Sequence, residues 1–188
     1  MPDSNSYPQS ATPYLALLRR YHADETAHSG RALVDHLLGV YRLLESWGNP
    51  AEICRAGLFH SIYGTNIFTH RSAQFSDRAA IQAAIGERAE RLAFLFCTSE
   101  RPVAFLKAAL EGATTLDDVV HGGAHPIDRA DLAALIEIEI ANFLEQPENP
   151  DDVRLIGSAI DIIEKSQPVL SAPARAALAA TVAALKGR

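Results

Sequence analysis

The stretch LVDHLLGVYRLLESWG, residues 33–48, carries the clearest helical pattern in the chain. Its large apolar side chains recur three or four positions apart, which places them on one face of a helix: Leu33, Leu37, Val40, Tyr41, Leu44 and Trp47. Gly48 follows, and glycine is the residue type that most often ends a helix. The stretch therefore predicts a core helix of a helical domain.

Helix signals continue on both sides of this stretch. Upstream, Thr12-Pro13 is a helix start, and downstream Asn49-Pro50 opens a helix that we expect to run to about Ile62. Further helices are predicted to begin at Ser76 or Asp77, with an interruption near Gly86, and at Asp128, Asn149-Pro150 and Ser171. No stretch alternates like a strand. The fold class expected is all-α, a bundle of about seven to nine helices.

The domain organisation follows from the same pass along the chain. Residues 1–11 are polar and contain proline and serine, which is typical of a disordered leader. Residues 12–188 fit a single domain. Residues 112–127 form the longest irregular segment within it and are a candidate lid.

Composition narrows the classes of partner. The formal net charge is -6, which argues against a nucleic-acid partner because a phosphate backbone would be repelled. No apolar run is long enough to span a membrane and no signal peptide is evident, so we expect a cytoplasmic protein with no membrane partner. Cys54 and Cys97 lie in apolar stretches and are expected to be core thiols.

Histidines are the first candidates for chemistry, because a neutral imidazole binds metals and carries protons near neutral pH. The five that concern us are His28, His36, His60, His121 and His125. A single histidine on a helix more often packs in the core or bonds a carbonyl, so order and spacing matter more than presence.

Four short segments occur in an order that resembles one known family. They are SGRALVDH (29–36), LFHSIYGT (58–65), IGERAERL (85–92) and IEIEIAN (136–142). These segments resemble S-G-E-P-Y-I-x-H, L-L-H-D-V-V-E-D, F-G-x-x-V-x-x-L and I-x-L-A-D of the guanosine tetraphosphate hydrolases, members of the HD superfamily of metal-dependent phosphohydrolases. The resemblance implies an HD-like helical bundle in which His36 and His60 lie close together as metal ligands.

The chain departs from that family at its acidic positions. Ser61 and Asn142 stand where the resemblance implies two carboxylate ligands, and Gly64 and Thr65 replace the catalytic acidic pair. Ala27 stands in place of the guanine-stacking arginine. A hydroxyl and an amide do not offset a divalent charge, so we expect zinc, manganese or iron to be weakly bound or absent and guanosine tetraphosphate not to be hydrolysed.

The substituted segment still offers polar groups at one helix end. Its members His60, Ser61, Tyr63 and Thr65 are catalytic candidates, although Tyr63 and Thr65 would equally serve as helix caps. The ligand-binding candidates are His28, Ser29, Arg31, Tyr63, Thr65 and Asn142. A nucleophilic Ser61 would need His36 or His28 as its base.

Two hypotheses follow from these residues. The first is a binding module for a small polar or phosphorylated molecule, such as a nucleotide or a phosphorylated metabolite. The second is a metal-dependent enzyme, with hydrolytic or oxidative chemistry, in which His36 and His60 are joined by Glu139, His121 or His125.

Overall fold

A computed structural model describes residues 8–28, 30–146, 150–165 and 167–186. Within these ranges the chain forms nine α-helices: α1 (Thr12–Arg20), α2 (Leu33–Ser46), α3 (Ala51–Leu58), α4 (Arg78–Ile85), α5 (Glu87–Thr98), α6 (Val103–Glu111), α7 (Arg129–Glu145), α8 (Pro150–Glu164) and α9 (Ala172–Lys186). The all-α prediction is confirmed, and the number of helices lies within the expected range.

Four helices surround the centre of the domain. The predicted core helix α2 packs against α3 and α7, and α3 also packs against α5 and α7. All six apolar positions of the stripe on residues 33–48 are buried: Leu33, Leu37, Val40, Tyr41, Leu44 and Trp47. Helices α8 and α9 pack against each other and join this centre through α6 and α7. None of the described helices has the length and apolar character of a membrane span.

Local signals explain several helix boundaries. The Asp128 side chain accepts a hydrogen bond from the Asp131 backbone N–H at 2.7 Å, which caps α7 as the sequence indicates. Gly86 separates α4 from α5 with a φ of 96°, a conformation that glycine adopts without strain. The two thiols, Cys54 and Cys97, are free and buried, and burial raises their pKa to about 11 and about 12.

Short β-structure replaces part of what the sequence predicts as irregular. β1 (Ala27–His28) pairs with β2 (Arg31–Ala32), and β3 (Thr115–Asp117) pairs with β4 (Ala124–Pro126), both antiparallel. In the second hairpin Leu116 lies opposite His125 and is buried. Most of the predicted irregular segment 112–127 is therefore a hairpin anchored in the core by Leu116.

Two other predictions need correction, and one helix lies where none was predicted. Gln9–Ala11, assigned to the leader, forms a 3-10 helix because Ala11 is fully buried. Helix α3 ends at Leu58 instead of near Ile62, and turns carry the chain on to Tyr63. Helix α6 lies in a stretch that shows no start signal apart from Pro102.

Candidate functional site

The buried side chains of His36 and His60 meet half-buried Asn142 where α2, α7 and the turn after α3 come together. His36 Nε2 lies 3.4 Å from His60 Nε2, and Asn142 Oδ1 lies 3.0 Å and 3.1 Å from these two nitrogens. We call these three residues the histidine–asparagine cluster. The sequence-based prediction that His36 and His60 approach each other in the core is confirmed.

In each imidazole the second ring nitrogen, Nδ1, forms a hydrogen bond on the side away from the cluster. His60 Nδ1 donates to the Gly57 carbonyl at 2.7 Å, which leaves Nε2 as the acceptor of that ring. Burial and the neighbouring His36 hold the pKa of His60 well below its ordinary value, so its ring is neutral. His36 Nδ1 lies 2.6 Å from a Glu145 carboxylate oxygen and donates to it.

Glu145 is a site residue that the sequence analysis missed. Burial would raise the pKa of its carboxyl, but hydrogen bonds from His36 and Arg31 lower it below the ordinary value. The carboxylate lies directly over Gly39, where a Cβ atom would collide with it. The sequence signal that could have revealed this contact is a glycine inside α2 three residues after His36, together with Glu145 three residues after Asn142.

A second buried acid orients the asparagine. The Asn142 amide group donates to the Glu139 carboxylate, which turns Asn142 Oδ1 towards the two histidines. Glu139 is also paired with Arg101, whose Nε and Nη2 lie 2.7 Å and 2.9 Å from its two oxygens. Burial raises the pKa of Glu139 and the Arg101 charge opposes that effect. Glu139, proposed as a metal ligand, therefore faces a guanidinium, and Arg101 is a second site residue that the sequence analysis missed.

A cavity of about 420 Å³ opens beside the cluster. Four of its five buried lining residues are polar, His36, Ser61, Thr65 and Arg101, and the fifth is Ile156; half-buried Asn142 lies next to the polar ones. Thr65 Oγ1 accepts the backbone N–H of Phe68 at 2.9 Å, so Thr65 closes a turn beyond α3 and is not the helix cap that one sequence interpretation predicts. The Ser61 side chain lines the cavity, and the residue as a whole is 4% exposed. It forms no pair with a histidine among the described residues, which removes support for a Ser–His nucleophile.

Tyr63 does not lie in this cavity. Its hydroxyl donates to Glu90 at 3.0 Å, and its ring stacks on Phe75 with centroids 5.4 Å apart. Burial and the Glu90 charge raise the pKa of Tyr63. The expectation that Tyr63 contacts ligand is therefore wrong for this cavity, because Glu90 and Phe75 hold the Tyr63 side chain away from the lining.

His121 and His125 also lie elsewhere. Both bind the buried carboxylate of Asp118, with His121 Nδ1 3.0 Å and His125 Nε2 2.9 Å from Oδ2. Their rings pack against Phe94, and neither residue lines the cavity beside His36. Asp118, His121 and His125 form what we call the hairpin cluster. His121 and His125 therefore do not join His36 and His60 as metal ligands, because the hairpin holds them at Asp118.

The remaining ligand-binding candidates divide into two groups. Arg31 pairs with Glu145 and approaches Gln146 at 3.3 Å, so it acts on the cluster through Glu145. Ser29 and the side chain of His28 lie outside the described residues. Among the residues that the structure describes, no group of three or more histidine, cysteine, aspartate or glutamate side chains is arranged to hold a metal ion.

Comparison with known proteins gives a family match over part of the chain. No curated protein and no solved structure matches the chain. Residues 17–101 match the family described as a domain of unknown function (DUF6817). The matched range contains His36, His60, Ser61 and Arg101 and ends before Asn142. The chain is thus similar to this family across the helix that carries His36 and the turn that carries His60.

Proposed function

We propose that this chain is an HD-like domain that binds a small molecule in the cavity beside His36 and does not hydrolyse guanosine tetraphosphate. The observation that carries the proposal is the polar end of the cavity, where Ser61, Thr65 and Arg101 line the same space beside His36. A hydroxyl that lines a cavity can hydrogen-bond with a bound ligand or with an ordered water.

The placement of three residues supports HD-like geometry. His36, His60 and Asn142 are brought together from the positions that the sequence resemblance assigns to metal ligands, although they are far apart in the chain. Ser61, which stands at the position of another ligand, lines the adjoining cavity.

A divalent cation fits the spacing of these atoms but not their charge. Ligand atoms about 2.1 Å from an octahedral ion are about 3.0 Å apart, close to the observed 3.0–3.4 Å. All three donors are uncharged as ligands, however, and the nearest carboxylates, Glu139 and Glu145, are turned onto arginines. The residues present do not supply the negative charge that a tightly held divalent ion needs.

Hydrogen bonding can satisfy the same atoms without a metal. His60 Nε2 and Asn142 Oδ1 are both acceptors, because His60 Nδ1 donates to Gly57 and the Asn142 amide donates to Glu139. A donor group of a bound ligand or an ordered water would suit these acceptors.

The convergence of the three atoms also favours a second candidate, a metal-dependent enzyme. In both histidines Nδ1 donates a hydrogen bond: His36 to Glu145 and His60 to the Gly57 carbonyl. Metal-binding imidazoles commonly have such a bond at the nitrogen that does not bind the metal. In that case His36, His60 and Asn142 would hold the ion. It would supply an activated water, and Arg101 would bind an anionic substrate group.

Metal titration separates the two candidates. We expect calorimetry with manganese, iron and zinc to show at most weak binding to the natural protein. The variant Ser61→Asp/Asn142→Asp should bind at least about tenfold more tightly, because it restores both carboxylates. About one equivalent of tightly held metal in the natural protein would favour the enzyme and contradict the binding module.

Ligand binding is tested at the Asn142 side-chain amide by NMR. Acetate, AMP and octanoate serve as probes, and at least one should shift this resonance to saturation. In Ser61→Phe, which fills the polar end of the cavity, the shift should disappear. The proposal fails if none of the three probes acts, or if the shifts are the same in Ser61→Phe.

A further inference from the structure

The cavity has the reverse of the usual arrangement of polarity. Its buried end carries polar groups, whereas three of the side chains at its mouth are large, apolar and exposed: Ile67, Val103 and Leu155 are 62%, 61% and 71% exposed. From this reversal, and resting on the proposed binding function, we propose that the ligand is amphipathic. It has one oxygen-bearing head of at most a single negative charge and an alkyl or aryl body, so it is not a nucleotide.

The side chains at the mouth of the cavity are the evidence for an apolar ligand body. The three exposed side chains come from separate elements, the turn after α3, the start of α6 and the middle of α8. Single exposed apolar residues are ordinary, but here three of the seven large ones among the described residues gather at one opening. Between the mouth and the polar end, the wall continues with Phe68, Pro102, Phe143 and Ile156. An apolar ligand body would remove this surface from water.

The side chains at the buried end of the cavity are the evidence for an oxygen-bearing ligand head. The Ser61 hydroxyl can donate into the cavity, and so can Thr65, whose oxygen accepts the backbone N–H groups of residues 67 and 68 and whose own proton has no acceptor among the described residues. Arg101 lines the same end, with Nε and Nη2 engaged by Glu139. These donors suit a carboxylate, carbonyl or hydroxyl oxygen.

The charge around the buried end limits the head to at most one negative charge. The two guanidinium groups there, of Arg31 and Arg101, are matched by the carboxylates of Glu145 and Glu139. At the mouth the lining includes a further acid, Asp152. A nucleotide phosphate or diphosphate would lose its hydration without meeting surplus positive charge, which is unfavourable.

The test compares octanoate, acetate and AMP by calorimetry on the full chain, with octanoate kept below its micelle concentration. Octanoate and acetate share a head and differ in the apolar body. We expect octanoate to bind at least about tenfold more tightly than acetate, and AMP no more tightly than acetate.

Matched variants locate the apolar contribution. Val103→Ser/Leu155→Ser removes two exposed apolar side chains at the mouth and should weaken octanoate about tenfold while leaving acetate unchanged. The control Leu110→Ser/Ile162→Ser makes the same change at exposed positions of α6 and α8 outside the cavity, and should leave both affinities unchanged.

The outcomes separate this inference from the proposed function. If AMP binds most tightly and loses binding in Ser61→Phe, the cavity is a ligand site but the amphipathic assignment is overturned. Equal affinities for octanoate and acetate, or equal effects of the two double variants, also overturn it. If no probe binds, both the inference and the binding function fail.

Discussion

The histidine–asparagine cluster and the hairpin cluster contain similar side chains, but their carboxylates occupy opposite places. In the hairpin cluster the Asp118 carboxylate lies between two partly exposed imidazoles and accepts backbone N–H groups as well. In the histidine–asparagine cluster the imidazole nitrogens face each other, and Glu139 and Glu145 lie behind the polar groups. In the hairpin cluster the carboxylate is fully engaged by hydrogen bonds within the hairpin, and these bonds close a turn. The buried arrangement leaves polar atoms directed at a cavity.

The largest expected effect concerns the buried pair behind Asn142. Arg101 and Glu139 are 5% and 4% exposed, so Arg101→Met would leave Glu139 buried without its charged partner. We expect the free energy of unfolding, measured by urea denaturation, to fall by about 3–5 kcal/mol.

The matched control is the same change at a surface pair. Arg154 and Asp151 are 41% and 83% exposed, and Arg154→Met should cost about 1 kcal/mol or less. Similar costs for Arg101→Met and Arg154→Met would show that the carboxylate behind Asn142 does not depend on its guanidinium.

The next effect tests whether the hairpin cluster is held by its central carboxylate. Asp118→Asn should lower the free energy of unfolding by about 2 kcal/mol near neutral pH, because several hydrogen bonds to a charged group are weakened. Asp117→Asn, at an exposed neighbouring position of β3, should change it by less than about 0.5 kcal/mol.

The effect of Asp118→Asn should depend on pH. Burial opposes ionisation of Asp118, but hydrogen bonds from His121 and His125 lower its pKa below the ordinary 3.8. A carboxyl whose pKa is lowered by folding stabilises the protein above its unfolded pKa, and that contribution is lost as the pH falls through the folded pKa. The difference between natural protein and variant should thus be constant near neutrality and shrink below pH 3.8. A difference that grows on acidification would contradict this account.

The smallest effect tests how closely Glu145 approaches α2. In the natural protein, Gly39→Ala should cost about 1–2 kcal/mol, because the new Cβ collides with the Glu145 side chain. In a Glu145→Ala background the collision is gone, and Gly39→Ala should stabilise by up to about 1 kcal/mol through helix propensity. Urea denaturation of the four proteins measures this coupling, and additive effects would rule out the contact.

The sequence by itself determined most of the helical architecture. Apolar stripes, caps and glycine stops are local features, and a stripe such as that of residues 33–48 fixes which face of a helix is buried whatever it packs against. The meeting of His36 and His60 was also predictable from residue order. Sequence further showed that Ser61 and Asn142 are not acidic, which is a matter of side-chain chemistry alone.

Only the tertiary structure decided the partners of those residues. His36 and Glu145 are 109 positions apart, and Arg101 and Glu139 are 38 apart, so no local pattern relates them. The turn that follows α3 separates Tyr63 from Ser61, and the β3–β4 hairpin ties His121 and His125 to Asp118. The cavity likewise depends on the packing of α6, α7 and α8, because its lining comes from elements distant in the chain. Helical periodicity specifies which side of an element is buried, whereas long-range packing specifies what that side meets.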